Sequence, residues 1–262
     1  MSPLSFPKKC LPLLALAVAA RADVHHFGYV TETGTLPAGA GEVEVWNTAR
    51  VGHTDFYSAL DQRLEFETGL TDRLQGSLYL NMKKETTDST DGFDWEGLSV
   101  ELKYKLTDPA ADPVGFGLYG EIGYNTDETE LEGKLLFDKN AGPWILGANL
   151  IGEAEIENRS QEVEEIEISP VLAAAYEITP RLTAGLELRN HNEIEKEAGG
   201  DEMEWSNSAL FLGPVVAYSA KACTVTFTVL PQLPALKTEG NGLRDLKDHE
   251  AVEARLHLSL HF

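Results

Sequence analysis

Residues 252–262 alternate without a break between apolar and polar side chains. Val252, Ala254, Leu256, Leu258, Leu260 and Phe262 share one parity, and Glu253, Arg255, His257, Ser259 and His261 share the other. Successive side chains of a β-strand point to opposite faces, so the segment predicts a strand with one apolar and one ionic face. Such a strand either covers a core from one side or separates lipid from a polar interior.

The same alternation recurs from Gly41 onward in twelve segments. They fall near 41–52, 57–70, 74–84, 96–107, 114–126, 130–139, 143–157, 163–177, 182–192, 207–219, 223–234 and 250–262. Leu98, Val100, Leu102, Tyr104 and Leu106, for example, alternate with Ser99, Glu101, Lys103 and Lys105. Many runs reach ten residues or more, whereas strands of a soluble sandwich average about five or six. Beyond the amino terminus no apolar run approaches the roughly 18 residues of a membrane helix. Only helices and closed barrels satisfy their backbones in lipid. The expected fold is therefore all-β: an antiparallel, up-and-down transmembrane barrel of about twelve strands, with ten or fourteen as the neighbouring counts. The alternative is a soluble secreted sandwich.

The amino terminus agrees with export. Lys8 and Lys9 precede an apolar run from Cys10 to Ala20, followed by Ala20-Arg21-Ala22. A basic start, a short apolar stretch and an A-x-A site predict a Sec signal peptide over 1–22. Residues 23–40 then read as a periplasmic lead-in and 41–262 as the barrel. The full chain carries 21 Lys and Arg against 43 Asp and Glu, a net charge of −22. The signal segment takes three basic residues and no acidic ones with it, so the exported chain is more acidic still. Such a surface argues against nucleic acid as a partner. One cysteine, Cys223, remains in the exported chain, which leaves no internal disulfide.

Connections after the even strands are short: 70–73, 108–113, 140–143, 179–181 and 219–221. Others are long and acidic, notably 85–95, 193–206 and 235–249. Short periplasmic turns opposite longer outer loops are the outer-membrane arrangement. Tyr104, Phe116, Phe137, Trp144, Tyr176, Tyr218 and Phe262 share parity with the apolar faces near the short-turn ends. They form a candidate interface girdle, because such rings pair an apolar body with, in Tyr and Trp, a polar handle. The opposite girdle has Tyr124, with Trp95 and Trp205 at undetermined parity.

Two resemblances follow from these residues. The closing strand, with Leu256, Leu258 and Leu260 ending on Phe262, resembles the closing strand of bacterial outer-membrane barrels, which implies recognition by the barrel assembly machinery. Leu36-Pro-Ala-Gly39, Glu42-Val-Glu-Val-Trp46 and Gly69-Leu-Thr-Asp-Arg-Leu-Gln-Gly-Ser-Leu-Tyr-Leu80 resemble the start of an uncharacterised family of Gram-negative outer-membrane barrels. The G-[IL]-T-[DE]-[RN]-[LF] turn also recurs in barrels assigned to transport. These likenesses imply an outer-membrane location, with lipids and lipopolysaccharide as surroundings, and carry over neither ligand nor catalytic residue.

The polar parity predicts a charged lumen. It includes Arg63, Glu65, Glu67 and Lys83, then Glu101, Lys103, Lys105 and Glu121, then Glu132, Lys134, Glu187, Arg255 and His257. Charge facing lipid costs about 2–4 kcal/mol for Arg or Lys at midplane, so these side chains belong inside. One hairpin is unbalanced. Glu153, Glu155 and Glu157 on one strand face Glu165 and Glu167 on the next, and like charges so placed need raised pKa values or a counter-charge. Arg159, Arg189 or a divalent cation such as Ca²⁺ could supply it. The expectation is a cation-attracting vestibule at the outer mouth.

His257, Ser259 and His261 share the inner face. Two His at this spacing lie about 13 Å apart and cannot ligate one metal together. The Ser–His pair invites comparison with the outer-membrane phospholipase, but no acid partner is legible. His25 and His26 are potential ligands without a third. No phosphate loop, CxxC pair or HExxH is present. The sequence therefore points to a non-enzymatic, porin-like passage for small polar or cationic solutes. A side-chain-filled structural or surface-interaction barrel is the second reading, and a hydrolase the third. No cofactor is implied.

Overall fold

Twelve antiparallel strands close on themselves into one barrel. The computed structural model describes residues 24–196, 202–238 and 242–262, so the signal peptide expected over 1–22 lies outside the described residues. The strands are β1 (Gly41–Val51), β2 (Tyr57–Thr71), β3 (Leu74–Thr87), β4 (Asp91–Thr107), β5 (Gly115–Tyr124) and β6 (Glu128–Ala141), continuing as β7 (Trp144–Glu157), β8 (Val163–Thr179), β9 (Leu182–Lys196), β10 (Met203–Ser219), β11 (Cys223–Leu233) and β12 (Val252–His261). Each pairs with its sequence neighbours, and β1 with β12 seals the wall. At that seam the Phe262 N–H donates to the Gly41 carbonyl at 3.1 Å.

Apolar alternation explains the wall. Leu98, Val100 and Leu102 of β4 are exposed, while Ser99, Glu101 and Lys103 between them are buried. The greasy face is thus outside and the ionic face inside, as a transmembrane barrel requires. Both ends of the barrel strand sequence, Gly41 and Phe262, lie at the end carrying the tight turns 72–73, 142–143 and 180–181. We call this the turn end and the opposite one the loop end. Tyr104, Phe137, Trp144, Tyr176 and Tyr218 are exposed near the turn end, and Phe116 stacks on Phe137 with ring centroids 5.0 Å apart.

Two expected loops are largely strand. β3 runs on to Thr87 and β4 begins at Asp91, so 85–95 shrinks to a turn at 88–90; likewise β9 and β10 extend into 193–206, of which 197–201 lie outside the described residues. Bulges hid this. The register shifts opposite Asn81/Met82, skipping Glu96, and between Trp205 and Asn207, skipping Ser206. A bulge adds one residue to one strand and inverts the parity beyond it. Gly97 makes the first bulge with φ +96°, and a Cβ there would sit 2.1 Å from the Tyr124 carbonyl oxygen. The shifts turn Trp95 and Trp205 outward, and with Tyr124 they are exposed near the loop end. Of the three connections expected to be long, the one between β11 and β12, 234–251, keeps its length between strands.

The larger departure concerns residues 24–40. Read from sequence as a periplasmic lead-in, 24–36 run instead inside the bore, and 37–40 lie at the turn end beside Gly69 and Asp72. Phe27, Val30 and Leu36 are buried at 1–3% exposure, and Phe27 and Val30 pack with Ile145, Val171, Phe211 and Leu230 of the inner wall. Their contacts climb from Gln75 and Asp138, near the turn end, to Glu187 at mid-wall, then return to Thr226. The segment is a plug bent into an inverted U. It has no alternation because it presents its side chains to walls on several sides at once.

Candidate functional site: the bore and its carboxylates

The plug is held mainly through its backbone. Glu187 of β9 accepts from the N–H groups of Gly28 at 2.9 Å, Tyr29 at 2.9 Å and Val30 at 3.2 Å, and from the Thr228 hydroxyl at 2.7 Å. Asn149 of β7 accepts the Thr31 N–H at 2.6 Å and donates to the Thr31 carbonyl at 2.9 Å. Asp138 of β6 accepts from the Thr33 N–H and hydroxyl at 2.9 and 2.7 Å. Arg255 of β12 donates to the Gly28 carbonyl at 2.9 Å and lies 4.0 Å from the Tyr29 ring centroid. An irregular segment in a barrel must find partners for its amides, and the inward polar side chains provide them.

Glu187 and Arg255, expected to line the lumen, hold the plug there. Of the other expected lining residues, Glu101, Lys103 and Glu121 are buried on the β4 and β5 walls, and His257 is fully buried at the seam. Tyr79 donates its hydroxyl to Glu101, Arg63 pairs with Glu121, and Arg63 also stacks over Tyr79.

The strand register arranges the glutamates into a continuous row. Glu101 faces Glu121, Glu121 faces Glu132, Glu132 faces Glu153, Glu153 faces Glu167, and Glu167 faces Glu193. A second row joins Glu130, Glu155, Glu165 and Glu195. Strands of a closed barrel tilt, commonly by about 35–45°, so a row across them climbs the wall as a spiral. From Glu101 on β4 to Glu193 on β9 it rises toward the loop end.

The expected hairpin cluster is thus part of something larger. Glu153, Glu155, Glu165 and Glu167 come together as the alternation implied, lining a cavity of about 470 Å³ with Glu130, Glu132, Arg189, His191 and Glu193. Glu157 does not join them; it sits at the strand end, its N–H donating to Glu162 across the turn. Arg159 reaches Asp127 at 3.9 Å, away from the cluster. Arg189 meets Glu167 at 3.5 Å and Glu253 at 2.8 Å. His191 bridges Glu167 and Glu193 at 3.0 and 2.8 Å, and Lys134 meets Glu132 at 2.9 Å. Glu153, Glu155 and Glu165 form no ion pair with Lys or Arg among the described residues. Carboxylate oxygens of Glu165, Glu193 and Glu195 lie within 4.8 Å of one another, an all-oxygen set of the kind Ca²⁺ accepts.

A second cavity of about 210 Å³ runs between the plug and the β1–β5 wall, bordered by Glu44, Glu65, Glu67, Glu101 and Lys103. At the loop end, Asp245, His249 and Glu250 of the β11–β12 connection are buried. His249 reaches Asn207 at 2.7 Å and lies 3.7 Å from Glu193. Burial, with the His191 charge beside it, pushes His249 down to about 4. Burial, with the Glu253 carboxylate beside it, pushes Glu250 up to about 8.

These features define a class: a transmembrane β-barrel with a charged, internally plugged bore. The chain belongs to DUF6662, a family of unknown function, whose model matches residues 19–142 and 146–262. No curated protein matches the sequence. Among solved structures, the chain is similar to the COG4313 outer membrane channel from Pseudomonas putida F1. Identity is 15%, with 88% of this chain and 98% of that chain covered and a TM-score of 0.56. It is also similar to the NanC porin, at 13% identity, 83% and 98% coverage, and a TM-score of 0.52. At these identities the likeness concerns the fold.

Proposed function

We propose that the chain is an outer-membrane, porin-like passage for small cations and small polar solutes, narrowed from within by its own amino-terminal segment. The observation that carries this reading is the spiral of carboxylates from Glu101 to Glu193. A row of carboxylates along a polar bore favours cations and offers several weak sites in succession, which passage needs. The plug leaves the β1–β5 side lined by Glu44, Glu65 and Glu67, so negative charge continues toward the turn end. The reading rests on this row and not on similarity to a channel and a porin. The apolar exterior would meet outer-membrane lipid and lipopolysaccharide, and the Leu256–Phe262 strand would be read by the assembly machinery.

We assign no bond chemistry to the bore. The Ser259 hydroxyl donates to Glu44 at 2.6 Å and lies 3.3 Å from His257 Nε2, but Glu44 meets that same Nε2 at 3.0 Å. A nucleophile–base–acid relay needs the acid on the opposite ring nitrogen.

Reversal potentials in a planar bilayer under a KCl gradient test the proposal. The protein should favour K⁺, and replacing Glu153, Glu155 and Glu165 by Gln should weaken that preference. Among the described residues these three have no Lys or Arg partner, so the exchange breaks no ion pair seen there. Anion preference in the wild type, or unchanged selectivity in the triple variant, would sink the reading. The density of plug contacts favours a second reading, a barrel filled by its own chain, in which the wild type is silent.

A further inference from the structure

The plug and the barrel seam bring together three side chains that neither the carboxylate row nor the plug's amide contacts use. His25 comes from the plug, Glu44 from β1 and His257 from β12. Glu44 and His257 are fully buried, and His25 nearly so. His25 Nε2 lies 3.1 Å from one carboxylate oxygen of Glu44, and His257 Nε2 lies 3.0 Å from the other. One ligand atom from each of the three residues falls within 4.8 Å of the others.

We propose that His25, Glu44 and His257 bind a divalent transition-metal ion of the zinc class, which clasps the plug to the β1–β12 seam. Donors about 2.0–2.2 Å from a common ion stand roughly 3 Å apart when the ligand–metal–ligand angle is near 90–110°, and the two separations match that. A second observation points the same way. Glu44 Oε2 is buried without any hydrogen bond of acceptable geometry, although His257 Nε2 is 3.0 Å away. A close contact with poor hydrogen-bond direction is what two ligands converging on a third point produce. A buried carboxylate oxygen left without a donor is otherwise costly.

The surroundings hold the ligands in place. Trp46 stacks on the His257 ring at 3.7 Å between centroids and 16° between planes. The His25 ring stands edge-on to His257, with centroids 4.5 Å apart and an 88° angle. Ser259 donates to Glu44 Oε1 at 2.6 Å, and Thr226 donates its hydroxyl to the His25 carbonyl. Such outer contacts orient ligands before the ion arrives. Two imidazoles and one carboxylate suit zinc and its neighbours rather than Ca²⁺ or Mg²⁺, which take oxygen ligands. His25 and Glu44 border the cavity on the β1–β5 side, which leaves room for an ion to enter and for a water to complete a fourth position.

The test uses the full exported chain, folded in detergent and stripped with EDTA, titrated with Co²⁺ and then Zn²⁺. The expected result is one Co²⁺ per chain with a visible d–d band, displaced by Zn²⁺. His25→Ala and His257→Ala should each weaken binding by on the order of 100-fold or more, since even outer-shell losses cost about 10–100-fold. His25 lies outside every strand, so its variant keeps the barrel intact should His257→Ala fail to fold. His249→Ala, at the separate His191–Glu193–His249 group, should leave the band unchanged. No stoichiometric binding, or a band that survives His25→Ala and disappears with His249→Ala, would overturn the site. The assay reads the ion directly and is indifferent to whether the bore conducts.

Discussion

At residue scale, the plug depends on Glu187 and on the absence of a side chain at Gly28. Glu187 is fully buried and satisfies three consecutive amides plus the Thr228 hydroxyl. Replacing it by Ala leaves those donors buried and unmet, at about 1–3 kcal/mol each. A loss of about 3 kcal/mol overall would speed hydrogen exchange of the 28–31 amides on the order of 100-fold. Gly28→Ala should act in the same direction, because its Cβ would lie 2.6 Å from Thr228 Oγ1 and 3.3 Å from Glu187 Oε2. Exchange at wild-type rates in both variants would show that the segment is held elsewhere. The inward direction of Glu187 was legible from strand parity alone. Its partners were not: Gly28 lies 159 positions away in a segment without periodicity, and parity says where a wall residue points without saying what it meets. The same limit separated His25 from His257, which the sequence places at opposite ends of the chain.

At element scale, the register was more legible than the strand lengths. The two-residue turn at 142–143 fixes which residues of β6 and β7 face one another, so Glu132 opposite Glu153 follows from turn position and alternation; the next two steps, to Glu167 and Glu193, do not, because β8 shifts register once against β7 and once against β9. The loop-end extensions were hidden because the bulges skipping Glu96 and Ser206 invert parity where both faces turn polar. The 234–251 connection carries a pH dependence whose sign can be worked out. Glu250 sits at about 8 in the folded loop and near 4.5 when the loop is open, so between those values the folded loop holds the extra proton and loses stability as pH rises. His249 sits at about 4 folded and near 6.5 open, so there the open loop holds the extra proton and stability rises with pH. The two slopes offset each other between about 4.5 and 6.5, and above 6.5 only Glu250 remains. Opening of 243–250, read by hydrogen exchange corrected for intrinsic rates, should therefore become easier from pH 6.5 to 8. Glu250→Gln should flatten that rise; an unchanged profile in the variant would assign it to another group.

At the scale of the whole molecule, strand number leaves the bore undecided. About eight strands enclose only side chains, whereas 16 to 18 leave an aqueous channel. Twelve lies between, so in the proposed passage residues 24–36 would set what can cross. They belong to no strand, and every rung of the barrel, including the β1–β12 seam, forms without them. Deleting 24–36 while keeping 37–40, whose Pro37 carbonyl packs against Gly69, should therefore leave a folded barrel of larger conductance. The carboxylate spiral lies on the wall and not on the plug, so the deletion variant should keep a preference for K⁺, reduced by the wider bore. Single-channel recording separates the two readings of the protein. If the wild type conducts with cation preference and the deletion conducts more, the plug is a constriction in a working passage. If the wild type is silent and only the deletion conducts, the barrel is closed by its own chain at rest. Equal conductance in both would mean that ions already pass along the β1–β5 side without crossing the space the plug occupies.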